Sequence, residues 1–184
     1  MSLQTWQETL IVAPGDGPTL TAASAASCIH TAAKLTFPNN YFQVGKRIRV
    51  SAQGRISCVV TTPGTARFDL RLGSTVIFDT GALNLNVVAK TNVPFWLEIE
   101  LTCRAIGNST LTTFIGQGMF QSEAVIASPA NTAGGNGSLL CPVGAPAVGT
   151  GVDVTATQAL DMFFTQTVAT GSMTVHQYMV EALN

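Results

Sequence analysis

The chain has 184 residues, of which 46% are hydrophobic and only 10% charged, with a formal net charge of −1. An ordinary soluble domain carries roughly a quarter charged residues, so this surface must be built largely from Thr, Ser, Asn, Gln, Gly and Ala, and it supplies little of the repulsion that keeps copies apart. Nine Lys and Arg against ten Asp and Glu exclude the basic footprint of a nucleic-acid binder, and the sequence has no run of about twenty apolar residues to span a bilayer. The length suits one domain over residues 1–184 that buries a core without disulfide or metal staples. Met1 to Glu8 lack the basic start and apolar centre of a signal peptide, so the protein is expected to stay where it is made.

Along the chain, Glu8 to Val12 is the first strand candidate, and the turn signal Ala13-Pro14-Gly15-Asp16-Gly17-Pro18 follows it. Residues 1–20 together read as a possible arm. Ala22 to Ala26 is offered to a short helical turn, and Ile29 to Phe37 to a strand. Arg47-Ile48-Arg49-Val50-Ser51-Ala52 alternates with a period of two, and Gly54 reads as a bulge or close-contact point within one long strand. The alternation is cleanest at Arg67 to Leu72, and Thr75 to Thr80 follows across the turn Leu72-Gly73-Ser74. In Phe95 to Arg104 the core side is Phe95, Leu97, Ile99, Leu101 and Cys103, and the outer side is Trp96, Glu98, Glu100, Thr102 and Arg104. Leu111 to Phe120, Leu160 to Val168 and Met173 to Ala182 complete the strands, with Thr155 to Leu160 a second candidate helical turn.

About nine or ten strands without intervening helices predict an all-β fold, a two-sheet antiparallel sandwich. A jelly roll is the leading topology, and an immunoglobulin-like sandwich is the alternative. Ser122 to Gly151, rich in Ala, Gly, Asn, Ser and Pro, reads as one long loop, either lying on a neighbouring subunit or exposed to solvent.

No catalytic constellation emerges. Cys28, Cys58, Cys103 and Cys141 are far apart and lack the close pairs of zinc or redox sites, so they read as free, buried thiols. The two histidines, His30 and His176, have no nucleophile elbow beside them. Glu98 and Glu100 sit about 7 Å apart on one strand face, but Arg47, Arg49, Arg55, Arg67, Arg71 and Arg104 offer them ordinary cross-strand partners. No cofactor, metal ligand set or enzymatic activity is therefore expected. The candidate interface residues are Trp6, Tyr41, Trp96 and Tyr178. Trp96, turned away from the Phe95 side, reads first as an interface anchor and alternatively as a platform for a sugar.

Four segments carry a resemblance: Tyr41 to Ser57, Phe68 to Gly73, Ile77 to Gly81, and Pro94 to Arg104, with Gly45-x-x-x-x-Val50-x-Ala52-x-Gly54 and Arg71-Leu72-Gly73 as their most distinctive phrases. In this order they resemble jelly-roll structural proteins of tailed bacteriophages, which include head decoration subunits and minor tail components. The resemblance implies a virion protein made in the host cytoplasm. It would bind the outside of the assembled capsid and stabilise it as a decoration or cement protein, as a homotrimer whose partners are the major capsid protein and its own copies. The alternative is a tail or fibre component that binds a host-surface carbohydrate. Residues after Phe120 match no phrase of this family.

Overall fold

The structure is a computed structural model and describes residues 7–59, 62–126 and 137–184. Its strands are β1 (Glu8–Val12), β2 (Ala26–Ser27), β3 (Leu35–Phe37), β4 (Arg47–Cys58), β5 (Thr65–Leu72), β6 (Thr75–Asp79), β7 (Leu83–Asn84), β8 (Lys90–Ala105), β9 (Thr113–Ser122), β10 (Ser138–Cys141), β11 (Gln158–Gln166) and β12 (Ser172–Ala182). They build two antiparallel sheets. One has the order β1-β12-β4-β8-β9-β10, and the other β2-β11-β5-β6, with β3 also pairing β11 and β7 also pairing β5.

Alternating apolar side chains cause the sandwich, because each sheet has one face that must leave water. Ile48, Val50, Ala52 and Ile56 of β4 and Phe95, Leu97, Ile99, Leu101 and Cys103 of β8 are all buried. They meet Phe68, Leu70 and Leu72 of β5 and Leu160, Met162 and Phe164 of β11. Phe68 joins the layers, with ring centroids 5.6 Å from Phe95, 5.5 Å from Phe120 and 5.1 Å from Phe164. A second aromatic group, Phe37, Tyr41, Phe42 and Phe114, is centred elsewhere in the same core. All four cysteines are free and buried, and burial pushes the Cys141 thiol up to about 11.

Several local expectations give way to tertiary structure. The expected strand Ile29 to Phe37 is interrupted by a 3-10 turn at Thr31–Ala33, where the His30 Nδ1 accepts a 3.1 Å hydrogen bond from the Ala32 amide. Ala22 to Ala26 and Thr155 to Leu160 form no helical turn, and Gln158 already lies in β11. Within Ser122 to Gly151, β10 pairs with β9, while the Val143 and Gly149 amides donate to the Thr80 and Phe114 carbonyls at 2.9 and 2.8 Å. Residues 127–136 of that stretch lie outside the described residues. The segment after β1 stays against β12, with the Gly17 amide donating to Val175 and the Leu20 amide to Met173, both at 2.8 Å.

One irregularity sets the phase of β12. Val175 pairs with Gly54 and Gln177 with Gln53, leaving His176 as the extra residue of a bulge. Before it Met173 and Val175 face the core, and after it Tyr178, Val180 and Ala182 do. Gly54 permits the close approach: a Cβ there would lie 2.0 Å from the Thr174 carbonyl oxygen and 2.9 Å from Phe95 Cε1. Gly54→Ala is expected to lower stability by about 1–3 kcal/mol through overpacking, checked by the urea midpoint; an unchanged midpoint would show that the approach is not tight.

Candidate binding face

The register aligns outward side chains of the six-stranded sheet into rows across the strands. One row reads Ser138, Gln121, Trp96, Gln53 and Gln177, from β10 through β9, β8 and β4 to β12. Trp96, 49% exposed, thus has a glutamine directly opposite it on each side. These pairs are close enough for side chains to touch. Gln121 Nε2 donates to Ser138 Oγ at 3.4 Å, whereas the Gln53 and Gln177 amides have no hydrogen-bond partner among the described residues. A groove of about 450 Å³ lies over this row, lined by Gln53, Trp96, Gln121, Glu123 and Ser138 among others. Its corner is held by Ser122, whose hydroxyl donates to the Pro94 carbonyl at 2.9 Å and accepts from the Ala124 amide at 3.1 Å.

The rows toward the other end of the face are charged. Arg49 Nη2 lies 2.7 Å from Glu100 Oε1, and its guanidinium also reaches Glu98 at 3.8 Å and Glu181 at 3.9 Å. Arg47 pairs with Glu100 as well. Hydrogen bonding from Arg49, reinforced by the charges of Arg47 and Arg49, holds the Glu100 carboxyl below the usual range. A general acid would need the opposite shift, so the Glu98 and Glu100 pair is an ion-pair network. His176 Nδ1 sits 2.9 Å from Asp16 Oδ1, and His30 serves the 3-10 turn. Among the described residues no group of three or more His, Cys, Asp or Glu could hold a metal ion. What the face offers is binding surface rather than a catalytic constellation.

The candidate interface residues that are described, Tyr41, Trp96 and Tyr178, do not converge. Trp6 lies outside the described residues. Tyr41 is half-buried, stacked on Phe37 with centroids 4.7 Å apart, and Lys46 Nζ lies 4.5 Å above its ring. Lys46 adjoins the start of β4, and Arg47 and Gln53 are separated by six residues, about 20 Å along a strand, so Tyr41 sits far from the Trp96 row. Tyr178 is only 1% exposed; the bulge turns it into the core, where it cannot meet a partner. Of the three that are described, only Trp96 is exposed, and it lies on the groove of about 450 Å³. Gln53, Gln121 and Ser138, absent from the sequence-based candidates, line that groove with it, and Gln177, also absent from them, continues the row beyond Gln53.

No protein-family model matches the chain, and no curated protein does. Among solved structures the chain is similar to the CBM2 module of the evolved Dit of Lactobacillus casei BL23 phage J-1, at 12% identity, with a TM-score of 0.39 and 99% of each chain covered. So loose a likeness carries no function to this chain. The outer face of the six-stranded sheet is no low-charge strand face for packing on a shell, since Arg47, Arg49, Glu98, Glu100 and Glu181 occupy it. The expectation of a capsid decoration or cement protein, partnered by a major capsid protein, is corrected accordingly.

Two outcomes follow from these surroundings. The Glu100 pKa is depressed on folding, so its contribution is complete above the unfolded value of about 4.3 and is lost as pH falls through the folded value. Wild type should exceed Glu100→Gln by up to about 1 kcal/mol at pH 7, a modest gap because the pair is partly exposed, and the gap should narrow in urea titrations near pH 3. The buried Tyr178 hydroxyl has no hydrogen-bond partner among the described residues. Tyr178→Phe should therefore raise stability by about 1 kcal/mol; a loss of that size would reveal a partner for the hydroxyl.

Proposed function

We propose that the protein is a non-enzymatic carbohydrate-binding component of a phage virion, acting in the tail or a fibre on a host-surface glycan. The observation that carries this is the half-exposed Trp96 between Gln53 and Gln121 in an open groove. An indole packs against the C–H face of a sugar ring while its exposed edge stays wet. The adjacent amides supply both donors and acceptors, as hydroxyls require. A protein-interface anchor would instead be expected among apolar neighbours that exclude water, and here the immediate neighbours in the row are amides. The phrases from Tyr41 to Arg104 support the virion setting.

The strand order supports a jelly roll beneath the groove. Eight strands run β1-β12-β4-β8 in one sheet and β3-β11-β5-β6 in the other, the arrangement of two interlocked Greek keys. On this reading β9 and β10 are additions between β8 and β11. They bring Gln121 and Ser138, so the far wall of the groove is made by strands that the basic fold does not need.

A glycan array followed by titration of the strongest hit tests the proposal. Trp96→Ala should weaken binding roughly thirty-fold, the loss of about 2 kcal/mol that a central aromatic anchor carries. Its urea midpoint should stay near wild type, because the side chain is half-exposed. Absence of any glycan hit with correctly folded wild type, or hits untouched by Trp96→Ala, would overturn it.

A further inference from the structure

A second groove, of about 330 Å³, lies over β4, β12 and β1 and is lined by Val12, Ser51, Gln53, His176, Gln177 and Met179 among others. Gln53 lines both grooves. It stands between Trp96 and Gln177 in the same row, so the two depressions continue one another across the sheet. From β10 to β1 there are five inter-strand gaps, about 24 Å at the usual spacing. That is far more than one or two sugar units can occupy.

The charge of this track is equally informative. Among the described residues the one charged residue lining the first groove is Glu123, whose carboxylate is 2.9 Å from Lys90 Nζ. In the second groove the titratable lining residues are His176, paired with Asp16, and the inward-turned Tyr178. Among the described residues no Lys or Arg lines either groove. Arg55 points outward in the next row, opposite Pro94 and Thr174, and stands clear of both linings. Phosphate or carboxylate groups along a polymer call for charge-assisted donors, and the track holds amides and hydroxyls in their place.

We infer that the ligand is an extended, uncharged polysaccharide lying across the strands, with one subsite at Trp96, a second at Gln177 and His176, and Gln53 between them. This rests on the carbohydrate reading above and adds to it a chain length, a direction and a charge class. A short sugar fills the Trp96 subsite alone. Longer chains gain the second subsite at little further entropic cost, because the first contact has already localised them.

Native gels containing a panel of neutral polysaccharides, with polygalacturonate and poly(glycerol phosphate) in parallel, test the charge class. At least one neutral polymer should retard the protein and neither anionic polymer should. Calorimetry with size-fractionated oligosaccharides of the retarding polymer then tests the length. Affinity should rise at least ten-fold from the disaccharide to the pentasaccharide or hexasaccharide. Gln177→Ala, at an exposed position, should erase most of that gain while leaving disaccharide binding within two-fold of wild type. Equal affinity for short and long oligomers would overturn the two-subsite track and leave the carbohydrate reading standing. Retardation by the anionic polymers alone would overturn the charge class, and binding to no polysaccharide or glycan at all would remove both inferences.

Discussion

The architecture turns on the passage of β12 over Gly54. At that point the absence of a side chain admits the Thr174 carbonyl, and β12 takes up His176 as an extra residue. A strand has a side-chain period of two, so a single inserted residue exchanges its inner and outer faces from there on. Tyr178, Val180 and Ala182 consequently enter the core, and Gln177 comes to stand opposite Gln53 on the outer face. Core completion and the alignment of the amide row are one event of register. Neither can be adjusted without disturbing the other.

The groove is also supported from below. Phe95 adjoins Trp96 in β8 but points inward, and its ring stacks on Phe120 of β9 with centroids 5.7 Å apart. Phe68 of the opposite sheet touches both. Trp96 and its flanking amides are thus mounted on interlocked aromatic rings, which on the carbohydrate reading limits the ordering cost of binding. At the β9 and β10 corner, a Cβ on Gly137 would lie 2.0 Å from the Ser122 carbonyl oxygen, so the two strands approach closely beside the groove.

How far the sequence discloses this differs by level. Alternation in Arg47 to Ala52 and Phe95 to Arg104 identifies the inner and outer residues of β4 and β8 correctly, because hydrophobic burial acts on each strand separately. It also places Trp96 outside. The phase of Tyr178 is hidden, since His176 is recognisable as an extra residue only against its partner strand. The glutamine row is hidden for the same reason: Gln53, Gln121 and Gln177 lie 68 and 56 residues apart in sequence, and only cross-strand register makes them neighbours. Ser138 to Cys141 is four residues long amid small residues, too brief for an alternation signal, and becomes a strand through pairing with β9.

The sparse charge admits a second reading beside the one composition suggests. Most of it is committed to local pairs: Lys34 with Asp161, Arg71 with Asp69 and Arg67 with Asp79 on one sheet, Arg47 and Arg49 with Glu98, Glu100 and Glu181 on the other. Such partly exposed pairs add little stability individually. Their greater effect is to confine the fields of these side chains to short range, leaving the Trp96 row to present hydroxyls, amides and one aromatic ring. Low charge is what a chain packed against its own copies would show, but it equally suits a surface that competes with water for the hydroxyls of a neutral polymer. The placement of Gln53 and Gln121 on either side of Trp96 favours the second.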